Sequence, residues 1–190
     1  NGFMLGVAQK LGFEHVYGIE PSADAVSKAH PAHRGSLIKG MFSSNLTGEN
    51  RFDAITCFQT LDHIVDPVTF VRECFAALKP GGAVLFINHN IASLPARILG
   101  ERCPMIDIEH TYLHTKNTMQ QLFEESGFTD VRVFSVRNDY PLSYWLHLMP
   151  GSKKLKQPVM KGLKIMGIGK IILPLYAGNL GLLARKPHSP

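Results

Sequence analysis

The order of apolar segments predicts an α/β fold, and three observations carry that prediction. Short runs rich in β-branched and aromatic residues alternate with amphipathic stretches, as βαβ units around a parallel sheet require. Two of the runs, 52–58 (FDAITCF) and 83–88 (AVLFIN), are apolar almost throughout, as strands covered on both faces are. Helix start and stop signals flank the stretches between them. The expected architecture is an open, mostly parallel sheet with helices on both faces.

Each element follows from local chemistry. Phe3, Met4, Val7, Ala8 and Leu11 share one helical stripe, and Gly12 punctuates it. The run 15–20 (HVYGIE) reads as a short buried strand, and Ser22 caps a helix that runs to about Ala29. A second weak strand is expected over 36–42, followed by a polar loop. Asp66-Pro67 starts a helix, with proline at the first helical position where its missing N–H costs nothing. Val68, Val71, Cys74, Phe75 and Leu78 line it, and Pro80-Gly81-Gly82 ends it. A capped helix is expected from Thr115 to a glycine stop at Gly127, then an alternating strand over 131–136 and a last one over 180–184.

Composition narrows the class. The chain has 190 residues, 45% hydrophobic and 18% charged, with a mean hydropathy near zero. One globular domain spanning 1–190 is expected, which excludes a disordered tail, a fibre or a disulfide-stapled miniprotein. Cys57, Cys74 and Cys103 are scattered and form no metal or bridge pattern, in keeping with a reducing cytoplasmic setting. The net charge of +5 is unevenly placed: residues 1–139 hold 12 basic and all 15 acidic residues, whereas 140–190 hold eight basic and no acidic ones. A domain-wide nucleic-acid footprint is therefore not expected. The apolar stretch 171–184 is 14 residues long and is broken by Pro174, Gly178 and Asn179. A membrane span needs roughly 20.

Ligands of open α/β sheets bind beyond the carboxyl ends of strands, so candidates are sought there. Gly2 stands at a helix start, and Glu20 ends the next strand. A glycine turn lets a ligand approach the backbone, and an acid at a strand tip accepts hydrogen bonds from both ribose hydroxyls.

The block from Phe52-Asp53 through Leu61-Asp62-His63-Ile64 to Leu78-Lys79-Pro80-Gly81-Gly82 and the following strand resembles the centre of class I S-adenosylmethionine-dependent methyltransferases. Tyr17-Gly18-Ile19-Glu20-Pro21-Ser22 is similar to the family's second strand with its ribose-binding acid, and Gly2 to the last glycine of its first loop. The resemblance covers roughly 1–139, with 178–186 similar to the final strand, and the stretch Asp107-Ile108-Glu109-His110 falls before the sixth. It implies a Rossmann-like sheet with an antiparallel last strand, S-adenosylmethionine as cofactor and a small-molecule or lipid- or sugar-linked methyl acceptor. It places the cofactor against Asn1, Gly2, Glu20, Pro21, Met41, Phe42, Gln59 and Thr60.

The chain departs from the family in two places. It opens at Asn1-Gly2, inside the glycine loop, so the first strand is missing and a piece of a longer polypeptide is expected. After the third strand, where relatives place an acid, it has Gly40-Met41-Phe42-Ser43. Met41 and Phe42 fit either the adenine face or simple core packing.

His63, His89 and His110 lie after strands or in a loop on the substrate side. An imidazole there can take a proton from an acceptor hydroxyl, and His63 and His110 are the catalytic candidates. Methyl transfer needs little beyond in-line alignment, so loop architecture is the competing reading. The spacings match no metal motif, and no metal is expected.

The segment 139–178 reads as a helical, basic insertion. On a helix, Leu155, Val159, Leu163 and Met166 share one side, and Lys153, Lys161 and Lys164 the other, although Pro158, Gly162, Gly167 and Gly169 weaken it. It fits an insertion packed on the core, a lid over the acceptor site or, over 150–175, a peripheral membrane contact. The lid is preferred to the membrane contact. A nicotinamide-dependent oxidoreductase and a non-catalytic scaffold or membrane-surface module are the rival functions.

Overall fold

The computed structural model describes residues 2–106, 108–149 and 151–188. Its chain divides into two compact units, Asn1–Gly48 and Glu49–Pro190.

The first unit opens with helix α1 (Phe3–Lys10), entered from Gly2 in the left-handed region at φ 78°. Strands β1 (Gly18–Glu20) and β2 (Leu37–Lys39) pair in parallel, with Gly18 opposite Leu37 and Glu20 opposite Lys39. The Leu37 side chain occupies the place where a Cβ on residue 18 would sit, 2.6 Å away. Glycine is the residue that lets the two strands meet there. Between them lie α2 (Ala23–Ser27) and α3 (Pro31–Arg34), and α4 (Ser44–Thr47) follows β2. Ser22 caps α2 as expected, its Oγ accepting from Ala25 N at 3.2 Å. Both strands are shorter than the runs 15–20 and 36–42. With one partner each, they have a ladder only as long as their overlap, which closes with Gly40 N donating to Glu20 O at 3.2 Å.

The second unit holds β3 (Phe52–Phe58), α5 (Pro67–Ala77), β4 (Leu78–His89), α6 (Leu94–Leu99), α7 (Lys116–Glu125), β5 (Thr129–Pro141), α8 (Leu142–Leu148), α9 (Lys153–Ile165) and β6 (Ile172–Arg185). The sheet order is β3-β4-β6-β5. β3 and β4 pair in parallel, and β6 lies between β4 and β5, antiparallel to both. Thus β3, β4 and β5 run one way and the final strand runs against them, as expected.

Most local signals act as read, but α5 stops at Ala77: Leu78, expected to line it, and Pro80-Gly81-Gly82, expected to end it, already belong to β4. Asp66 Oδ1 caps α5 by accepting from Thr69 N at 3.0 Å. Thr115 and Thr118 close a reciprocal capping box on α7. Asp53, at the start of β3, takes both of its contacts from Lys79 Nζ at 2.9 Å and is structural. Along β4 full burial alternates with half burial, which places Val84, Phe86 and Asn88 on one face. Phe86 meets Phe123 of α7 edge to face at 4.9 Å, and Val71 and Cys74 of α5 are buried as well. Lys186 Nζ donates to Asn50 Oδ1 and to the carbonyls of Phe75 and Leu78, each at 2.9 Å, which ties off the end of α5. The three cysteines are buried, free thiols, and burial pushes Cys57 up to about 12.

The basic segment is more ordered than its prolines and glycines suggest. β5 and β6 extend past the core as a paired ribbon, with Pro141 opposite Ile172. The helices therefore occupy only the interval between those residues. Trp145 Nε1 donates to Leu173 O at 2.9 Å and anchors α8 on the ribbon. α9 continues through Pro158. Of its expected apolar stripe only Leu163 is buried, whereas Leu155, Val159 and Met166 are exposed.

Candidate active site

The expected site residues fall at strand ends in both units. In the first unit Glu20 closes β1, and its Oε1 accepts from Ser22 N at 3.0 Å. Pro21 follows it and is exposed. Met41 is exposed and Phe42 half-buried in the turn after β2. Gly2 puts its left-handed backbone at the N-terminus of α1, where amide hydrogens lack helical partners. Asn1 and Asp107 lie outside the described residues.

In the second unit Gln59 and Thr60 end β3. Gln59 has φ 49°, a left-handed backbone that residues other than glycine rarely adopt. Its Nε2 donates to Asn179 Oδ1 at 3.3 Å, and Asn179 Nδ2 donates to Asn138 Oδ1 at 3.1 Å. Its Oε1 is buried with no hydrogen-bond partner among the described residues. Thr60 turns its hydroxyl back to Phe58 O at 2.9 Å.

The short 3-10 turn Leu61–His63 follows, and the histidines converge on it. His63 and His110 stack with ring centres 4.7 Å apart, and His89 meets His110 edge to face at 4.8 Å. His63 Nδ1 lies 2.8 Å from Glu109 O. A carbonyl only accepts, so Nδ1 carries the hydrogen and Nε2 keeps a lone pair. Asp62 lies under them, fully buried, and its Oδ2 accepts from His89 N at 3.0 Å and from His89 Nδ1 at 2.9 Å. Its carbonyl accepts from Thr111 N at 2.8 Å and Tyr112 N at 3.2 Å, which binds the His110 loop to the turn. His114 is also buried, and burial holds its imidazole below the ordinary value against the opposing pull of Asp62.

The three histidines are legible in the sequence, whereas Asp62 stands there only as one residue of the loop Leu61-Asp62-His63-Ile64. An acid beside His63 at a strand end was the signal. Asn138 and Asn179 had no such signal, because their partners are distant in the chain.

This arrangement and the sheet order define a class, and the comparisons name it. Residues 1–133 match the family model described as a methyltransferase domain. The chain belongs to that family, as a class I S-adenosylmethionine-dependent methyltransferase domain. The ubiquinone biosynthesis O-methyltransferase of Vibrio parahaemolyticus is 34% identical over 89 residues, 43% of this chain and 38% of that protein. The matched stretch is thus well under two thirds of that relative's length. An S-adenosylmethionine-dependent methyltransferase from Archaeoglobus fulgidus superposes with a TM-score of 0.62 at 17% identity, covering 97% of this chain and 81% of its own. Phosphoethanolamine N-methyltransferase 2 of Haemonchus contortus, solved with S-adenosyl-L-methionine, gives 0.58 at 17%, covering 97% and 46%. The oxidoreductase reading finds no support in the family match.

Proposed function

We propose that this chain moves a methyl group from S-adenosylmethionine to a hydroxyl oxygen of a small-molecule acceptor, with His63 taking the hydroxyl proton. The observation that carries the reading is the His63 imidazole, whose Nδ1–H is committed to Glu109 O at 2.8 Å. The names of the relatives, O-methyltransferases, support oxygen as the acceptor atom.

The residues present fit the cofactor. Within the first unit Glu20 offers a carboxylate at a strand tip for ribose hydroxyls, and, taken by itself, the second unit holds a buried Gln59 Oε1 lacking a donor that a polar cofactor group would supply. When bound, S-adenosylmethionine supplies a methyl carbon activated by its positively charged sulfur. His63 Nε2 receives the hydroxyl proton as the oxygen pair forms the new O–C bond. The methyl–sulfur bond of the bound cofactor would break with its electron pair left on sulfur. His110, stacked on His63, holds the ring plane and lines the acceptor side. Calorimetric titration with S-adenosylhomocysteine, then transfer of labelled methyl to a panel of small hydroxylated acceptors, tests the reading. Absence of S-adenosylhomocysteine binding overturns it.

The exposed face of α9 favours a second reading for 150–175, a peripheral contact with an anionic membrane surface. Leu155 and Ile165 are 73% and 76% exposed, and Lys154, Lys161 and Lys164 are exposed beside them. Among the described residues no helix is long and apolar enough to cross a membrane. Co-sedimentation with anionic but not neutral vesicles, lost at high salt, is the expected result. The three free thiols support a cytoplasmic setting.

A further inference from the structure

Asp62 is the only buried acid among the described residues, and it is wholly enclosed. Its Oδ2 is served twice by His89, while Oδ1 is buried with no hydrogen-bond partner among the described residues. An enclosed carboxylate oxygen without a donor is costly unless a cation meets it. Two imidazoles stand within reach. One ligand atom each from Asp62, His89 and His110 lies within 4.8 Å of the others.

We propose that Asp62, His89 and His110 form a binding site for one divalent first-row transition-metal ion. One carboxylate oxygen and two imidazole nitrogens are the donor set that zinc, iron(II), cobalt(II) and manganese(II) accept, with oxygen ligands filling the open positions. Metal–ligand bonds of about 2.0–2.2 Å set ligand atoms roughly 3–3.6 Å apart, so the cluster closes by about 1 Å on the ion. His89 Nδ1 and Asp62 Oδ2 already stand at 2.9 Å.

The surroundings hold the ligands as a metal site requires. The Asp62 carbonyl grips the backbone of Thr111 and Tyr112, next to His110, so two ligands are joined through the chain. The His63 ring lies on the His110 ring at an interplanar angle of 28° and restricts its rotation. The histidine spacings hid this set because the third ligand is an aspartate carried by a different loop. An ion here leaves positions for a water or an acceptor hydroxyl oxygen. That use rests on the methyl-transfer reading, whereas binding of the ion does not.

The test uses the whole chain, stripped with chelator and titrated with Co²⁺ alone, with neither cofactor nor acceptor present. Visible d–d bands that saturate at one Co²⁺ per chain are expected, with a higher melting temperature in the presence of Zn²⁺. His110→Ala and Asp62→Asn should each weaken binding more than about 100-fold, beyond the effect of losing a supporting partner. His147→Ala, on α8, should leave it unchanged. Asp62 is buried, so His110→Ala, with its fold checked by circular dichroism, carries the decision. Absence of saturable Co²⁺ binding, or equal affinity in folded His110→Ala, overturns the proposal. Binding of S-adenosylhomocysteine, measured separately, keeps the two readings distinguishable.

Discussion

Asp62 and His89, 27 residues apart, meet at 2.9 Å where β3 and β4 end together. The parallel pairing of the two strands, Phe58 opposite Ile87, brings the turn after one beside the tip of the other. The buried carboxylate holds one imidazole directly, and the 3-10 turn that carries it presents another, His63, on the side away from the core.

Glu20 is expected to hold the ribose of the cofactor. Glu20→Ala should weaken S-adenosylhomocysteine binding by about 1.5–3 kcal/mol, as loss of a charged hydrogen bond does. Calorimetry measures it, and an unchanged affinity removes Glu20 from the site.

His63→Gln keeps a hydrogen-bonding group but has no basic lone pair at neutral pH. Its kcat should fall about 10²–10⁴-fold with S-adenosylhomocysteine affinity unaltered. The lost rate should return as pH rises and the acceptor hydroxyl ionises unaided. A flat profile with wild-type kcat assigns proton removal elsewhere.

The Asp66 carboxyl is held below its ordinary value, first by its hydrogen bond with the Thr69 side chain and then by the Thr69 backbone. A depressed carboxyl contributes stability above the unfolded value of 3.8, and that contribution is lost as pH falls through the lower folded value. Asp66→Asn keeps a capping oxygen without the titration. Urea midpoints measured from neutral to acid pH should therefore decline less steeply in the variant over that window.

Lys186→Met removes the donor shared by Asn50 Oδ1, Phe75 O and Leu78 O. The methylene stem is retained, so the loss is of hydrogen bonds to a charged group. A destabilisation of about 1.5–3 kcal/mol is expected in chemical denaturation. A smaller effect would mean that water replaces the ammonium at those carbonyls.

The limits of the sequence are visible in particular elements. β3, the start of α5 and the buried end of β4 were legible because period and cap agree within a few residues, whereas the end of α5 was not: the chain turns extended at Leu78, ahead of the glycines. α9 is the clearest case: it continues through Pro158, its sixth residue, although proline there forfeits the N–H bond to the carbonyl four residues back. Its expected inward stripe shrank to Leu163, since amphipathic spacing shows that a face exists but not whether anything covers it. Gly178 reads in sequence as a break in the apolar stretch and as the start of the last strand, and the structure adds a close approach: a Cβ there would stand 2.6 Å from Ser93 Oγ.

The sequence by itself determined the class, through short-range signals that need no partner: Glu20 at the end of its strand, the turn Leu61-Asp62-His63-Ile64, and Leu78-Lys79-Pro80-Gly81-Gly82 opening the strand after α5. It also determined that histidines would follow strands. The tertiary structure alone decided which polar groups share one enclosure. Asp62 is buried under His89 and His110, and Gln59 reaches Asn179 across 120 residues, because strand register sets those meetings. Register is a long-range pairing, and its energy lies in contacts that no window of neighbouring residues contains.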